Sequence, residues 1–179
     1  PGTTVGVTGM DALAVGDESG GNGVLTETLL GAVGALIVLL FVFASLLAFM
    51  PLLIAAVSIL TTFLLLLPLT YLTDVSFIVQ FLVSLVGLGV AIDYSLLVVT
   101  RWREERDHGK DNEAAVISAM ETAGHAVVFS GLTVAVGLFA LVILPVPFLR
   151  SIGYGGMLIP LVSVAVTTTL LPAILGGIG

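Results

Sequence analysis

Cysteine is missing from all 179 residues, so disulfides and thiolate chemistry are excluded and thiols say nothing about compartment. With two histidines beside that zero, little is left for a transition-metal site, and neither a metal nor a cofactor is expected. Charge is scarce as well. Only 9% of residues are Asp, Glu, Lys or Arg, against 58% hydrophobic, with a mean hydropathy of +1.24. A water-soluble domain of this length needs far more charge to cover its surface, so the chain is expected to be an integral membrane protein. Five Lys and Arg give no basic face for a nucleic acid. The net charge of −7 gives no acidic face either, because the acids sit mostly in the termini and loops.

What the sequence has instead is long uncharged runs. Leu29 to Thr73 contains no charged residue. A membrane span needs about 20 residues, so this run holds two helices and a tight turn. The spacing predicts five spans over 27–47, 51–69, 75–100, 126–144 and 151–171. Pro51 suits a first helical turn, where its missing N–H costs nothing. Thr73 and Asp74 suit the cap of the third span. Pro145 and Pro147 stop the fourth, and Pro172 with the glycines after it closes the fifth. Residues 101–125 form a charged loop, within which Asn112 to Ala123 reads as a short amphipathic helix lying at the membrane surface, with Val116, Ile117 and Met120 on its apolar side. The fold class is therefore all-α integral membrane: five transmembrane helices plus one cytoplasmic interfacial helix.

Residues 1–26 are polar and rich in Gly, Thr and Ser. They read as an extracytoplasmic tail, either free or the end of a further domain. Residues 176–179 are a short tail. The chain opens on Pro1 without a signal-peptide pattern, which suggests a piece of a longer protein. Four of the five basic residues, Arg101, Arg103, Arg106 and Lys110, fall in one loop, which sets it on the cytoplasmic side and the amino terminus outside. A multi-pass protein of the cell membrane follows, with membrane lipids around it.

Asp93 is the one carboxylate inside a span, in VGLGVAIDYSLLVVTR. Hydrocarbon penalises a charge, so a membrane helix that keeps one usually has a use for it, commonly an ion or proton path. The alternative is a structural Asp held by hydrogen bonds. Gly89, one turn away, leaves room for another helix to reach the carboxylate, and Tyr94 places a hydroxyl beside it. Ser130 on the fourth span could bond toward Asp93 or simply pack, and Thr133 reads as packing. His125 reads as a cap at the cytoplasmic edge, Arg150 as an interfacial anchor and Trp102 as a belt residue. An enzyme is not expected. An aspartyl protease needs two carboxylates at depth, and His125 and Ser130 face different sides of one helix.

The stretch GLGVAIDYSLLVVTRWREE, followed by HGKDNEAAV, resembles the MmpL branch of the resistance-nodulation-division superfamily. So do ETAGHAVVFSGLTVAVG and LRSIGYGGMLIPLVSVAVTTTLLPAILG, and VTGMDAL is similar to the end of that family's porter domain. The core of the match is G-x-x-x-D-Y at Gly89 to Tyr94 with R-x-R-E-E at Arg101 to Glu105. The resemblance implies the second to sixth helices of an amino-terminal half, and proton-driven export of lipids or other hydrophobic molecules. It implies that Asp93 and Tyr94 are the proton relay, supported by Gly89 and Ser130. It further implies an equivalent Asp-Tyr pair in a second transmembrane half and a porter domain, neither within these residues. The other reading is a five-helix lipid- or sterol-sensing module without transport.

Overall fold

The computed structural model describes residues 20–43, 49–71 and 77–178. Residues 1–19 of the expected tail, residues 44–48 between the first two expected spans and the cap expected at Thr73 and Asp74 lie outside the described residues. Among the described residues six α-helices follow one another: α1 (Gly20–Phe43), α2 (Phe49–Thr70), α3 (Ile78–Asp107), α4 (Asn112–Ala119), α5 (His125–Phe139) and α6 (Pro147–Ile178). Among the described residues, four helical stretches are long and apolar enough to cross a membrane: 49–70, 78–107, 112–143 and 147–177. A shorter apolar helix, Leu25–Val38, lies within α1. This is an all-α, multi-pass membrane architecture.

Helices α2, α3 and α6 form the centre, each packed on the other two, with α5 against α6 and α1 lying loosely along α3. Small residues let the centre close. A methyl group placed on Gly87 of α3 would meet Ile59 of α2 and Ile159 of α6, at 3.3 and 3.7 Å. Such positions bring helix backbones together in lipid, where apolar area gives no drive between helices.

Three boundaries differ from the sequence reading. Helix α1 starts at Gly20, so part of the expected tail is helical. Helix α3 does not stop near Thr100 but runs 30 residues, about 45 Å, and carries its charged end out of the apolar layer. Ion pairs one turn apart hold that extension: Arg101 Nη1 lies 2.9 Å from Glu104 Oε2, and Arg101 Nη2 reaches Glu105 Oε1. Lys110 Nζ adds a contact of 2.6 Å to Glu105 Oε2. The hydrogen bond from Lys110 holds the Glu105 carboxyl, in this extension beyond the span, below its usual range, although burial opposes it. Gly109, at φ +87°, then turns the chain through a conformation that a side chain disfavours.

The third difference concerns the surface helix. Asp111 caps α4 by accepting a hydrogen bond from the Ala114 N–H at 2.8 Å. The helix does not stand apart, however. It passes through a π-helical turn, Met120–Gly124, directly into α5, making one rod over 112–143. Its inward side is Ala115, Ala119 and Ala123, all buried, while Ile117 is exposed. Of the expected apolar face, Val116 and Met120 are half-buried and pack against the core beside the alanines, and Ile117 is the one left exposed.

Trp102 is corrected too. It is buried, and its indole N–H donates to Asn112 Oδ1 at 3.0 Å. The Asn112 amide in turn donates to the carbonyls of Leu175 and Gly176 at 2.9 and 3.2 Å, near the end of α6. One side chain thus ties together α3, α4 and α6. Asn112→Ala removes all three bonds and leaves a buried indole N–H without an acceptor. A loss of about 1–3 kcal/mol in stability is expected, read as a lower unfolding midpoint in detergent.

Candidate functional site

The site is built on the side of α3 that the bundle leaves uncovered. Leu85, Gly89, Asp93 and Leu97 follow one another at four-residue spacing, and all are exposed. Asp93 is therefore on the outer side of this chain, not enclosed among its helices. No hydrogen bond or ion pair engages its carboxyl among the described residues. At Gly89, one turn before, an added methyl would meet nothing within 4 Å.

Tyr94, the next residue, points the other way and is buried. Its hydroxyl lies 3.5 Å from Ser130 Oγ on α5, at the limit of a hydrogen bond. This contact crosses a place where α3 and α5 pack only sparingly. Glycine at 131 leaves room for Val164 of α6 beside the tyrosine ring. A methyl there would sit 3.5 Å from Tyr94 Cε2 and Pro160 O and would overlap Val164 Cγ2. Three helices therefore meet at Gly131, with Tyr94 seated between them.

The exposed side of α5 continues the α3 face. Ala126, Ser130, Thr133 and Gly137 are all exposed. Leu97, one turn beyond Asp93, and Ala126, one turn before Ser130, line one open cavity of about 290 Å3 with Thr100, Arg101, Glu104 and Thr122. This cavity lies at the charged end of α3, and its lining combines Leu97 with small, hydroxylated and charged side chains.

Of the residues singled out from the sequence, the structure brings Tyr94 and Ser130 together and puts Gly89 and Asp93 on one exposed stripe. Thr133 is exposed and donates to its own helix at Phe129 O, 2.8 Å. His125 Nδ1 lies 2.6 Å from Glu121 O, the backbone one turn back. Gly131 was missed. Its signal was present in the small-residue pattern of α5, but nothing in the sequence says which helix comes closest.

A family model described as "MMPL family" matches residues 1–179. A membrane protein of Streptomyces coelicolor is 43% identical over 145 residues, 80% of this chain and 21% of that protein. The mycolic acid-containing lipids exporter MmpL11 of Mycolicibacterium smegmatis is 41% identical over 145 residues, 80% of this chain and 15% of that protein. The trehalose monomycolate exporter MmpL3 of Mycobacterium tuberculosis is 41% identical over 105 residues, 59% of this chain and 11% of that protein. The chain thus spans about a fifth or less of the length of these relatives.

Proposed function

The chain belongs to the MMPL family, and from that premise we propose that it is a transmembrane half-module of a proton-motive-force-driven exporter of lipids or other hydrophobic molecules. Asp93 is the proton carrier, Tyr94 its neighbour in the relay, and Gly89 and Ser130 the positions that give a second group access to it. The module is the second to sixth helices of an amino-terminal half, with its amino terminus outside and residues 101–125 in the cytoplasm. A second transmembrane half and a porter domain complete the transporter.

One observation carries this reading: an unpaired carboxylate on an exposed stripe of a membrane span, with open space one turn away at Gly89. Left against lipid, that carboxylate would be costly. Covered by a second set of helices, it sits at an interface where charged and neutral forms favour different packings. A proton that binds two packings with unequal affinity shifts their balance, and that shift is what moves a coupled transporter. The names of two relatives, both exporters of lipids, support the same class of cargo.

The rival is a lipid-sensing module in which Asp93 is structural. Lipid export by the full-length protein, before and after the proton gradient is collapsed, separates the two. Export that stops on collapse is expected; lipid movement that continues at its former rate would overturn proton coupling.

A further inference from the structure

Three buried hydroxyls have no part in the site just described. Ser58, Ser163 and Thr167 are each at most 1% exposed, and among the described residues none of their side-chain oxygens has a hydrogen-bond partner. Hydroxyls within helices commonly donate to the carbonyl one turn back. Thr62, Ser95, Thr100, Thr133 and Thr168 all do so here, at 2.7–2.8 Å. The other three make no such bond. Buried polar atoms are generally satisfied by protein or by ordered water.

Ser58 belongs to α2 and Ser163 and Thr167 to α6, antiparallel helices that pack directly on each other and on α3. On α2, Ser58 is one turn beyond Ile54, which clusters with Leu171 of α6. Two turns past Ser58, Leu65 shares a small cavity with Tyr154 and Leu158 of α6. Ser58 is on the side between them. On α6, Ser163 and Thr167 fill a four-residue repeat that runs from Ile159 to Leu171, all of it buried. Apolar side chains close both ends: Leu66 clusters with Ile159, and Ile54 with Leu171 and Leu175.

We propose that the α2–α6 seam is a built hydration site in which ordered water bridges Ser58, Ser163 and Thr167. A buried water makes about three hydrogen bonds, so a few molecules can satisfy these oxygens where no backbone carbonyl does. The site is separate from Asp93, which lies on the exposed stripe of α3. Bridging by water joins α2 to α6 without a direct side-chain bond, so α6 can shift along α2 while the hydroxyls exchange water partners.

The test is a double-mutant cycle on the full-length protein, with Ser58→Ala and Ser163→Ala made singly and together and the unfolding midpoint measured. With bridging water, each single change lowers the midpoint by a few degrees, and the pair lowers it by less than the sum, because the second change finds the bridge already broken. With orphaned hydroxyls and no water, alanine leaves the midpoint unchanged or raises it. That result, or a strictly additive one, overturns the proposal. A high-resolution density map of the unmutated protein decides independently of folding. Water peaks between these oxygens support the site, whereas hydroxyls bonded directly to each other with no peak between them overturn it.

Discussion

Asp93→Asn is expected to reduce export by the full-length protein to the level of membranes that lack it, with membrane abundance and unfolding midpoint unchanged. Asparagine keeps the size of the side chain and its carbonyl oxygen but cannot alternate between charged and neutral forms. The carboxyl is exposed on this chain and makes no bond among the described residues, so its replacement breaks no contact within the bundle. The fold survives and the coupling does not. Export is measured as labelled lipid appearing outside the cell, with abundance read from the same membranes. Asp93→Glu retains a titratable group and is expected to retain part of the activity.

Two glycines within reach of the same site are expected to behave in opposite ways. A methyl at Gly131 overlaps Val164 and reaches Pro160 and the Tyr94 ring only at ordinary contact distance. Val164 is branched at Cβ and cannot swing aside as a long side chain can. Overpacking of this kind costs about 1–3 kcal/mol, occasionally more, so Gly131→Val is expected to lower the unfolding midpoint and the amount of folded protein together. At Gly89 nothing lies within 4 Å of an added methyl. Gly89→Leu is therefore expected to leave stability within about 0.5 kcal/mol, as exposed substitutions usually do. It is still expected to abolish export, because it fills the space through which a covering helix approaches Asp93. Normal export by Gly89→Leu would show that nothing comes close to this stripe.

The membrane spans were legible because charge is so rare: the few charged residues bracket the apolar runs, and hydropathy alone locates the helices. The ends were less legible, for separate reasons. The run Arg101 to Asp107 reads as a loop by its charge, yet pairs such as Arg101–Glu104 stabilise a helix that continues into water. The inward side of α4 is mostly alanine, flanked by the half-buried Val116 and Met120, so the expected apolar face holds for these two and fails for Ile117. Trp102 matched the composition of a membrane belt, but its indole has a partner 10 residues away that only the turn at Gly109 brings near.

Asp93 stood out as the one charge at depth. Which side of α3 it occupies could not be read from the run itself, because Val, Leu and Ile continue all the way round that helix. Coverage is set by α2 and α6, whose approach depends on Gly87 and Gly155. The seam hydroxyls were illegible for a related reason. Serine and threonine are ordinary in membrane helices when they bond to their own backbone, and sequence does not say which of them make no such bond.

Proton movement measured in vesicles containing purified full-length protein tests the role of Asp93 most directly. With lipid substrate present and a pH gradient imposed, the expected result is proton flux through the wild type and none above the empty-vesicle leak through Asp93→Asn, with both proteins equally folded. Substrate-dependent flux of equal size through the two would mean that protons cross by a route that does not include this carboxyl.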